Sequence, residues 1–241
     1  MKDLLFSIIT VSYNCKELVS CTVQSVLKQK YHLYEYIIID GGSTDGTLEE
    51  IKKLSCNVDI KLKSELDNGI YDAMNKGLEL AVGKYVCFLN MGDWFVNDKV
   101  LEEIAERVKG GKDIYYGNVI YGNNLRISPN KISFWLFLNE KMICHQAIFA
   151  KKECFVKNIF KTKFLYCSDR HWMYICYKQK RSFEHMNITV VYYDTNGVSS
   201  QAQSFLDDSM AVIQEDFGVS GIIYVLIKRS IGKIIRKVIA P

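Results

Sequence analysis

The chain predicts an α/β protein on a mostly parallel, doubly wound sheet, and three observations carry that prediction. Strand and helix patterns alternate as β-α-β-α-β-α-β as far as Asp93. The strand segments are short apolar runs rich in β-branched and aromatic residues, as expected for strands covered on both faces. Two of those runs end in an aspartate, Asp40 and Asp93, at the strand ends where open α/β sheets place their ligands.

The elements follow in order. Phe6 to Asn14 is a first strand that turns polar at Ser12 and Asn14. Leu18, Val19, Thr22, Val23, Val26 and Leu27 fall at helical spacing. Tyr36 to Ile39 is a second buried strand that delivers Asp40. The loop Gly41-Gly42-Ser43-Thr44-Asp45-Gly46-Thr47 follows, with Asp45 read as turn and capping chemistry. A helix over 48–54 leads to a third strand, 58–62, whose alternation puts it nearer an edge. Asp67 and Asn68 are expected to cap the next helix, whose face is Ile70, Ala73, Met74, Gly77, Leu78 and Ala81, with Gly83 as its left-handed stop. Tyr85 to Leu89 is the fourth strand, and Asn90-Met91-Gly92-Asp93 sits at its exit.

Beyond Asp93 the pattern loosens. It predicts a helix over 100–108, strands over 114–120, 147–150 and 188–193, a loop over 121–132, and a helix through Tyr177 opened by Ser168-Asp169. Two helices close the chain. In the tail, Ile223, Leu226, Ile227, Ile231, Ile234, Ile235 and Val238 form one apolar stripe, with Lys228, Arg229, Lys233, Arg236 and Lys237 off it. No acidic residue follows Asp216. A helix of that kind suits an anionic membrane surface, where each cation adds about 1 kcal/mol; the alternative is a helix docked on the domain with a solvated basic face.

Bulk properties exclude several classes. The 241 residues and 49% hydrophobic content support one packed domain and argue against disorder. A net charge of +4, with no basic stripe through the body and no nucleic-acid motif, argues against nucleic acid as a partner. The eight cysteines show no metal or disulfide spacing, which points to a reducing cytoplasm. The first 15 residues lack the pattern of a signal peptide, and no apolar run reaches the roughly 18 residues of a spanning helix. At Asp93 a carboxylate reached through a glycine suits a divalent cation carrying a phosphorylated substrate.

The segments FSIITVSYN, IIIDGGSTDGT, SELDNGIYDAMNKGLELAVGKY and CFLNMGD resemble the nucleotide-binding half of the family 2 glycosyltransferases, of the GT-A fold. Their wording is similar to bacterial enzymes that build O-antigen, capsule and colanic-acid units. ICHQAIF, CSDRHW and TNGVSS resemble later landmarks of the same enzymes, so the likeness runs over roughly residues 5 to 201. It implies a glycosyltransferase domain over 1–201, with a nucleotide-binding half (1–95) and an acceptor half (96–201). Residues 202–241 would be a helical appendage for membrane-surface association.

The resemblance also implies roles. Asp40 would hydrogen-bond the nucleotide base, with Thr10, Ser12, Tyr13 and Asn14 walling the same pocket. Asp67, Asn68 and Asp72 would line the nucleotide-sugar site. The family's DxD metal motif stands here as Asn90-Met91-Gly92-Asp93, so Asp93 would bind Mn²⁺ or Mg²⁺ and Asn90 and Gly92 would face ribose or diphosphate. The single carboxylate departs from the motif, and diphosphate oxygens and water would complete the ion's shell. The family's general base, an aspartate opening a helix after the acceptor region, would be Asp169, the alternative being that Asp169 only caps that helix. His145 and Gln146 would touch diphosphate or acceptor, with His171 beside Asp169.

His32 and His185 read as structural. Trp94, Phe95, Trp135 and Phe137 could stack a sugar or lipid, although aromatics at such spacing are more often core.

The expected reaction is inverting transfer of a hexose from a nucleoside diphosphate sugar, with UDP as the nucleotide, to an undecaprenyl-diphosphate-linked saccharide. The enzyme would lie on the cytoplasmic side, peripheral on the inner face of the cell membrane. Two rivals stand beside it. A sugar-nucleotide pyrophosphorylase would want a glycine- and arginine-rich loop after the first strand, unlike Ser12-Tyr13-Asn14-Cys15. A non-catalytic membrane-surface subunit is favoured only by the reduced metal motif.

Overall fold

A computed structural model describes residues 3–56, 58–138, 142–156, 159–194 and 202–239. Four strands, β1 (Phe6–Ser12), β2 (Tyr34–Asp40), β3 (Ile60–Ser64) and β4 (Tyr85–Phe88), lie parallel in the order β3-β2-β1-β4. Between them run α1 (Lys16–Leu27), α2 (Thr47–Ser55) and α3 (Ile70–Leu80). Every residue of β1 is buried, and its polar members Ser7, Thr10 and Ser12 are buried with hydrogen-bond partners. Side chains alternate faces along a strand. Phe6, Ile8, Tyr36 and Ile38 therefore share one core with Val19, Val23 and Val26 of α1. Ile9, Val11, Ile37 and Ile39 share the other with Tyr71, Met74 and Leu78 of α3. Each fully buried aliphatic side chain contributes roughly 1.5–3 kcal/mol, so this double cover holds the strand ends rigidly in place.

Both ends of α3 differ from expectation. Gly69 occupies the N-cap with φ 107°. Asp67 Oδ1 instead accepts the Gly69 N–H (2.9 Å), and Asp72 Oδ2 accepts the Asn68 N–H (2.9 Å). At the far end Ala81 is extended (φ −69°, ψ 132°), and Gly83 is no left-handed cap. Close approach explains that glycine, because an added Cβ would strike the backbone of Phe6 and Ser7. Its N–H donates to Ser7 Oγ (2.8 Å) and Glu35 Oε1 (3.0 Å).

The second half adds β5 (Trp94–Phe95), α4 (Val100–Arg107), β6 (Ile114–Tyr121), β7 (Asn124–Arg126), β8 (Ile148–Lys151), α5 (Ser168–Lys178) and β9 (Phe183–Tyr193). The sheet continues from β4 as β8-β6-β9-β5, with β7 folded back on β6. β8 is antiparallel to both neighbours, β9 is parallel to β6, and β5 is antiparallel to β9. β5 and β7 are too short to carry a period, which is why the sequence hides them. β5 nevertheless matters, since its pairing with β9 brings the residues after both Gly92 and Tyr193 together.

The last element, α6 (Ala202–Ile239), consists of two helical segments meeting at Gly218 (φ 64°, ψ −160°). Its first segment is fixed to the domain. Asp208 accepts the N–H groups of Leu165, Tyr166 and Cys167 (3.0, 2.8 and 2.8 Å). Arg170 Nη1 donates to Ser209 Oγ (2.7 Å), and Val212 and Ile213 are buried. His171 pairs with Asp216 (2.6 Å) rather than with Asp169, because its place on α5 faces α6.

After Gly218, Val225 and Ile222 pack with Leu138 and Ile213, while Ile223, Leu226 and Ile227 stay exposed. The side chains of Arg229 and of residues 231–241 lie outside the described ones, as does the loop 195–201. By length and composition, Ser204–Lys228 is apolar enough to cross a membrane. Polar residues interrupt it, so an average passes where an unbroken run does not. All eight cysteines are free.

Candidate active site

The site is built on the carboxyl ends of the parallel strands. Ser12, Asp40 and Ser64 stand level across β1, β2 and β3. Asp40 is fully buried and spends both oxygens inside the rim. Oδ1 accepts from Ser12 Oγ (3.3 Å) and Ser43 Oγ (2.5 Å); Oδ2 accepts from Ser64 Oγ (2.8 Å) and the N–H groups of Gly42 and Ser43 (3.2 and 3.0 Å). Burial pushes this carboxyl up, but the bonds from Ser43, Ser64 and Ser12 outweigh it and hold it below the usual range. Asp40 is thus a tie for the loop after β2, with no lone pair left for the base expected there.

Thr10 likewise does not line the cleft. It is fully buried, with its hydroxyl on Leu89 O (2.7 Å) and Tyr36 OH (3.1 Å). Asn14 (φ 46°) joins the first two loops, since its Oδ1 accepts Thr44 N–H and its N–H donates to Ser43 Oγ (both 2.9 Å). Asp45 accepts from Thr47 N (3.0 Å) and Oγ1 (2.5 Å), the turn role read for it. Beside the exposed Asn14, Tyr13 is open as well, at 63% exposure. Asp67 lies across from it, its carboxylate against the Cα of Gly41, where a side chain would collide with Asp67 Oδ2 and reach the Tyr13 ring. Asp72 bonds Asn68 N–H and pairs with Lys76 (3.4 Å), and the Asn68 bond leads in holding its carboxyl low.

On the other side of β1 the chain continues past β4. Met91 N–H bonds Val11 O (3.1 Å), and Gly92 N–H bonds Thr22 Oγ1 (2.9 Å). Gly92 adopts φ 103°, which only glycine takes easily, and its Cα faces the Asp194 carboxylate. Asp93 is 4% exposed. Its Oδ1 accepts Asp194 N–H (2.9 Å) and its Oδ2 accepts Gln146 Nε2 (2.8 Å). Burial drives its carboxyl up to about 6, only partly opposed by those two bonds, and the Asp194 carboxylate adds to the rise.

Asp194 is the residue that the sequence reading missed. It follows β9 as Asp40 ends β2, so the strand-exit signal was present. The β5–β9 pairing then sets it beside Asp93.

The dipeptide His145-Gln146 joins the two halves. Gln146 holds Asp93, and His145 Nδ1–H donates to Asp169 Oδ2 (2.8 Å). Asn90 Nδ2 donates to His145 Nε2 (3.1 Å), which fixes that tautomer. Asp169 Oδ1 accepts from Tyr71 OH (3.0 Å) and Arg170 N–H (2.8 Å). Burial pushes Asp169 up, but the bonds from His145 and Tyr71 prevail and keep it below the ordinary carboxylate value. It is therefore an ionised acceptor at neutral pH, oriented from two sides.

The other aromatic and histidine candidates separate cleanly. Phe95 and Phe137 are core, and Trp94 stacks on Tyr192 (5.3 Å). Trp135 is 57% exposed, and His185 stacks on Tyr116 (5.4 Å).

These residues fit a divalent cation. A buried carboxylate carrying an unfavourable charge, a second carboxylate beside Gly92, and Asn90 Oδ1, buried without a hydrogen-bond partner, supply hard oxygen donors. Among the described residues no group of three His, Cys, Asp or Glu side chains could hold an ion alone, so ligand oxygens and water must complete the shell.

A sheet of this order, with aspartates at the strand ends, is the GT-A fold. TarS 1–349 of S. aureus, solved in complex with UDP-GlcNAc, matches at TM-score 0.72 and 16% identity, over 90% of this chain and 69% of that one. The mannosyltransferase PcManGT of Pyrobaculum calidifontis, in complex with GDP-Man and Mn²⁺, matches at 0.68 and 14% identity, over 91% and 69%. The chain belongs to glycosyl transferase family 2, which it matches over residues 7–181.

Among curated relatives, it is 32% identical over 139 residues to the Escherichia coli UDP-Glc:alpha-D-GlcNAc-diphosphoundecaprenol beta-1,3-glucosyltransferase WfgD, covering 56% of this chain and 55% of that protein. It is 31% identical over 155 residues to a PGL/p-HBAD biosynthesis glycosyltransferase of Mycobacterium bovis, covering 63% and 60%. The matched stretch thus spans little more than half the length of these relatives.

Proposed function

We propose that this protein transfers a hexose, with inversion, from a UDP-sugar to a saccharide carried on undecaprenyl diphosphate. The observation that carries the reading is that consecutive residues, His145 and Gln146, hold the two carboxylates such a reaction needs, Asp169 and Asp93. Tyr13 offers a ring to the nucleotide base. The Asp67 carboxylate beside it, in place of the saturated Asp40, accepts the base N–H. Asp93, Asp194 and Asn90 would hold Mn²⁺ or Mg²⁺, which when bound supplies positive charge to the departing diphosphate.

Asp169 takes the proton from the acceptor hydroxyl as that oxygen attacks the anomeric carbon from the face opposite the diphosphate. His145 and Tyr71 keep the receiving oxygen aimed, and no side chain need form a bond to the sugar. The non-catalytic alternative rested on a lone carboxylate, and Asp194 beside Asp93 supports the catalytic reading instead.

Association with the cytoplasmic face of the membrane is supported by the outward apolar line Ile223, Leu226 and Ile227, together with exposed Trp135 against Tyr224 (5.4 Å). The ion pairs and buried contacts of the first half of α6 favour lying on the surface over crossing it.

The test is titration with UDP in the presence and absence of Mn²⁺. UDP release is then followed across a panel of nucleotide sugars with a synthetic lipid-diphosphate saccharide. Metal-dependent UDP binding and acceptor-dependent release are expected. Failure to bind UDP, or full turnover in Asp93→Ala, overturns the assignment.

A further inference from the structure

The β6–β7 hairpin stands beside the catalytic carboxylates and leaves a groove of about 440 Å³ between itself and the 142–144 segment. Its walls are mainly apolar. Val119, which is buried, Ile127, which is 68% exposed, and Met142 are among the residues that line it. Leu125, on the same hairpin, is 56% exposed. One cation, Arg126, lies among these residues, and no carboxylate lines the groove. Arg126 Nη2 donates to Met142 O (2.8 Å), which props the guanidinium across the groove and leaves its other N–H donors for a ligand. Among the described residues it makes no ion pair.

The groove adjoins the active site at two points. Cys144, part of its lining, directly precedes His145-Gln146, the pair that holds Asp169 and Asp93. Tyr121, at its rim, stacks on Tyr193 (5.5 Å), whose successor Asp194 bonds Asp93. The donor's base has its own place at Tyr13 and Asp67, on the far side of β1. What remains beside Asp169 is an apolar channel with one guanidinium fork. A planar fork pairs with diphosphate oxygens, and the apolar walls gain by covering hydrocarbon.

We propose that this groove binds the carrier end of the acceptor, with Arg126 on the diphosphate and Ile127 and Met142 against the first isoprenoid units. The saccharide beyond the diphosphate then reaches Asp169. This rests on the transferase reading above, and the experiment separates the two.

Farnesyl diphosphate, farnesol and inorganic pyrophosphate are titrated into the full chain with UDP and Mn²⁺ saturating, so that the donor site is filled. The wild type should bind farnesyl diphosphate at least about tenfold more tightly than pyrophosphate or farnesol, since both halves of the groove contribute. Arg126→Gln should weaken farnesyl diphosphate and pyrophosphate at least about tenfold, the size of a lost charged hydrogen bond. Ile127→Ser should weaken farnesyl diphosphate and leave pyrophosphate unchanged. Both side chains are exposed, so both variants should melt with the wild type and bind UDP as it does.

Wild-type failure to bind farnesyl diphosphate, or binding unchanged in both variants, overturns the proposal. So does a fall in UDP affinity in Arg126→Gln, which gives the arginine to the donor. A dimer in solution that Ile127→Ser breaks gives the wall to a second copy and also overturns it. If UDP does not bind while farnesyl diphosphate still follows the variants, the groove stands and the transferase reading falls.

Discussion

Replacing Asp93 with asparagine probes the proposed cation pocket with no ligand present. Asp93 is 4% exposed, and burial moves its carboxyl from 3.8 to about 6. A carboxyl whose value is higher in the folded state favours the fold only while it is protonated. Its contribution is fully present below about pH 4, is lost as pH rises through about 6, and stays lost above that. At 1.36 kcal/mol for each tenfold change in proton affinity, the burden at neutral pH is about 3 kcal/mol.

Asparagine removes the charge but leaves an NH₂ facing either Gln146 Nε2 or Asp194 N–H, a cost of about 1–2 kcal/mol that does not vary with pH. The assay is denaturant unfolding of wild type and Asp93→Asn in EDTA from pH 4 to pH 8. The variant should gain on the wild type by up to about 3 kcal/mol as pH rises through this range, whatever the constant offset. Adding Mn²⁺ should shrink the gain, because the wild type then neutralises its charge. A flat difference across the range in EDTA would falsify the account of a carboxylate held buried for a cation.

Asp169→Asn should retain UDP affinity and lose about 10²–10⁴ in turnover, the range of a general base; comparable rates would assign Asp169 to helix capping alone. Tyr71→Phe removes one of the two groups aiming Asp169. A smaller loss in turnover is expected, about tenfold, with the pH–rate profile shifted upward because Asp169 loses a bond that keeps its carboxyl low. Glu35→Ala takes the acceptor from Ser7 Oγ, Val82 N–H, Gly83 N–H and Lys61, far from the chemistry. Lys61 is 43% exposed and stays solvated, so the loss comes from the donors left unsatisfied, and thermal melting should report about 1–3 kcal/mol, with UDP affinity unchanged for folded protein. Trp135→Ser combined with Ile227→Ser should reduce co-sedimentation with vesicles rich in anionic lipid, without altering UDP binding.

Much of the nucleotide-binding half was legible because its signals are local. The apolar runs of β1, β2 and β4 and the 3.6-residue face of α3 depend on neighbours a few residues away, and all four elements stand near their expected bounds. Cap chemistry was less secure. Asp67 and Gly83 are the right residue types for capping, yet Gly69 took the N-cap and packing against Phe6 and Ser7 explains Gly83. β5 and β7, at two and three residues, exist only through their partners β9 and β6.

Read alone, the amino-acid order determined the α/β class, the aspartates at the strand exits and the polar dipeptide His145-Gln146. Which of those aspartates remains available was decided only by the tertiary structure. Three serines and two backbone N–H groups close Asp40 off, whereas the β5–β9 pairing brings Asp194 to Asp93. His145 meets Asp169 and His171 meets Asp216 for the same reason. A hydrogen bond forms where distant segments are brought together by burying the apolar core, and no spacing along the chain records that meeting.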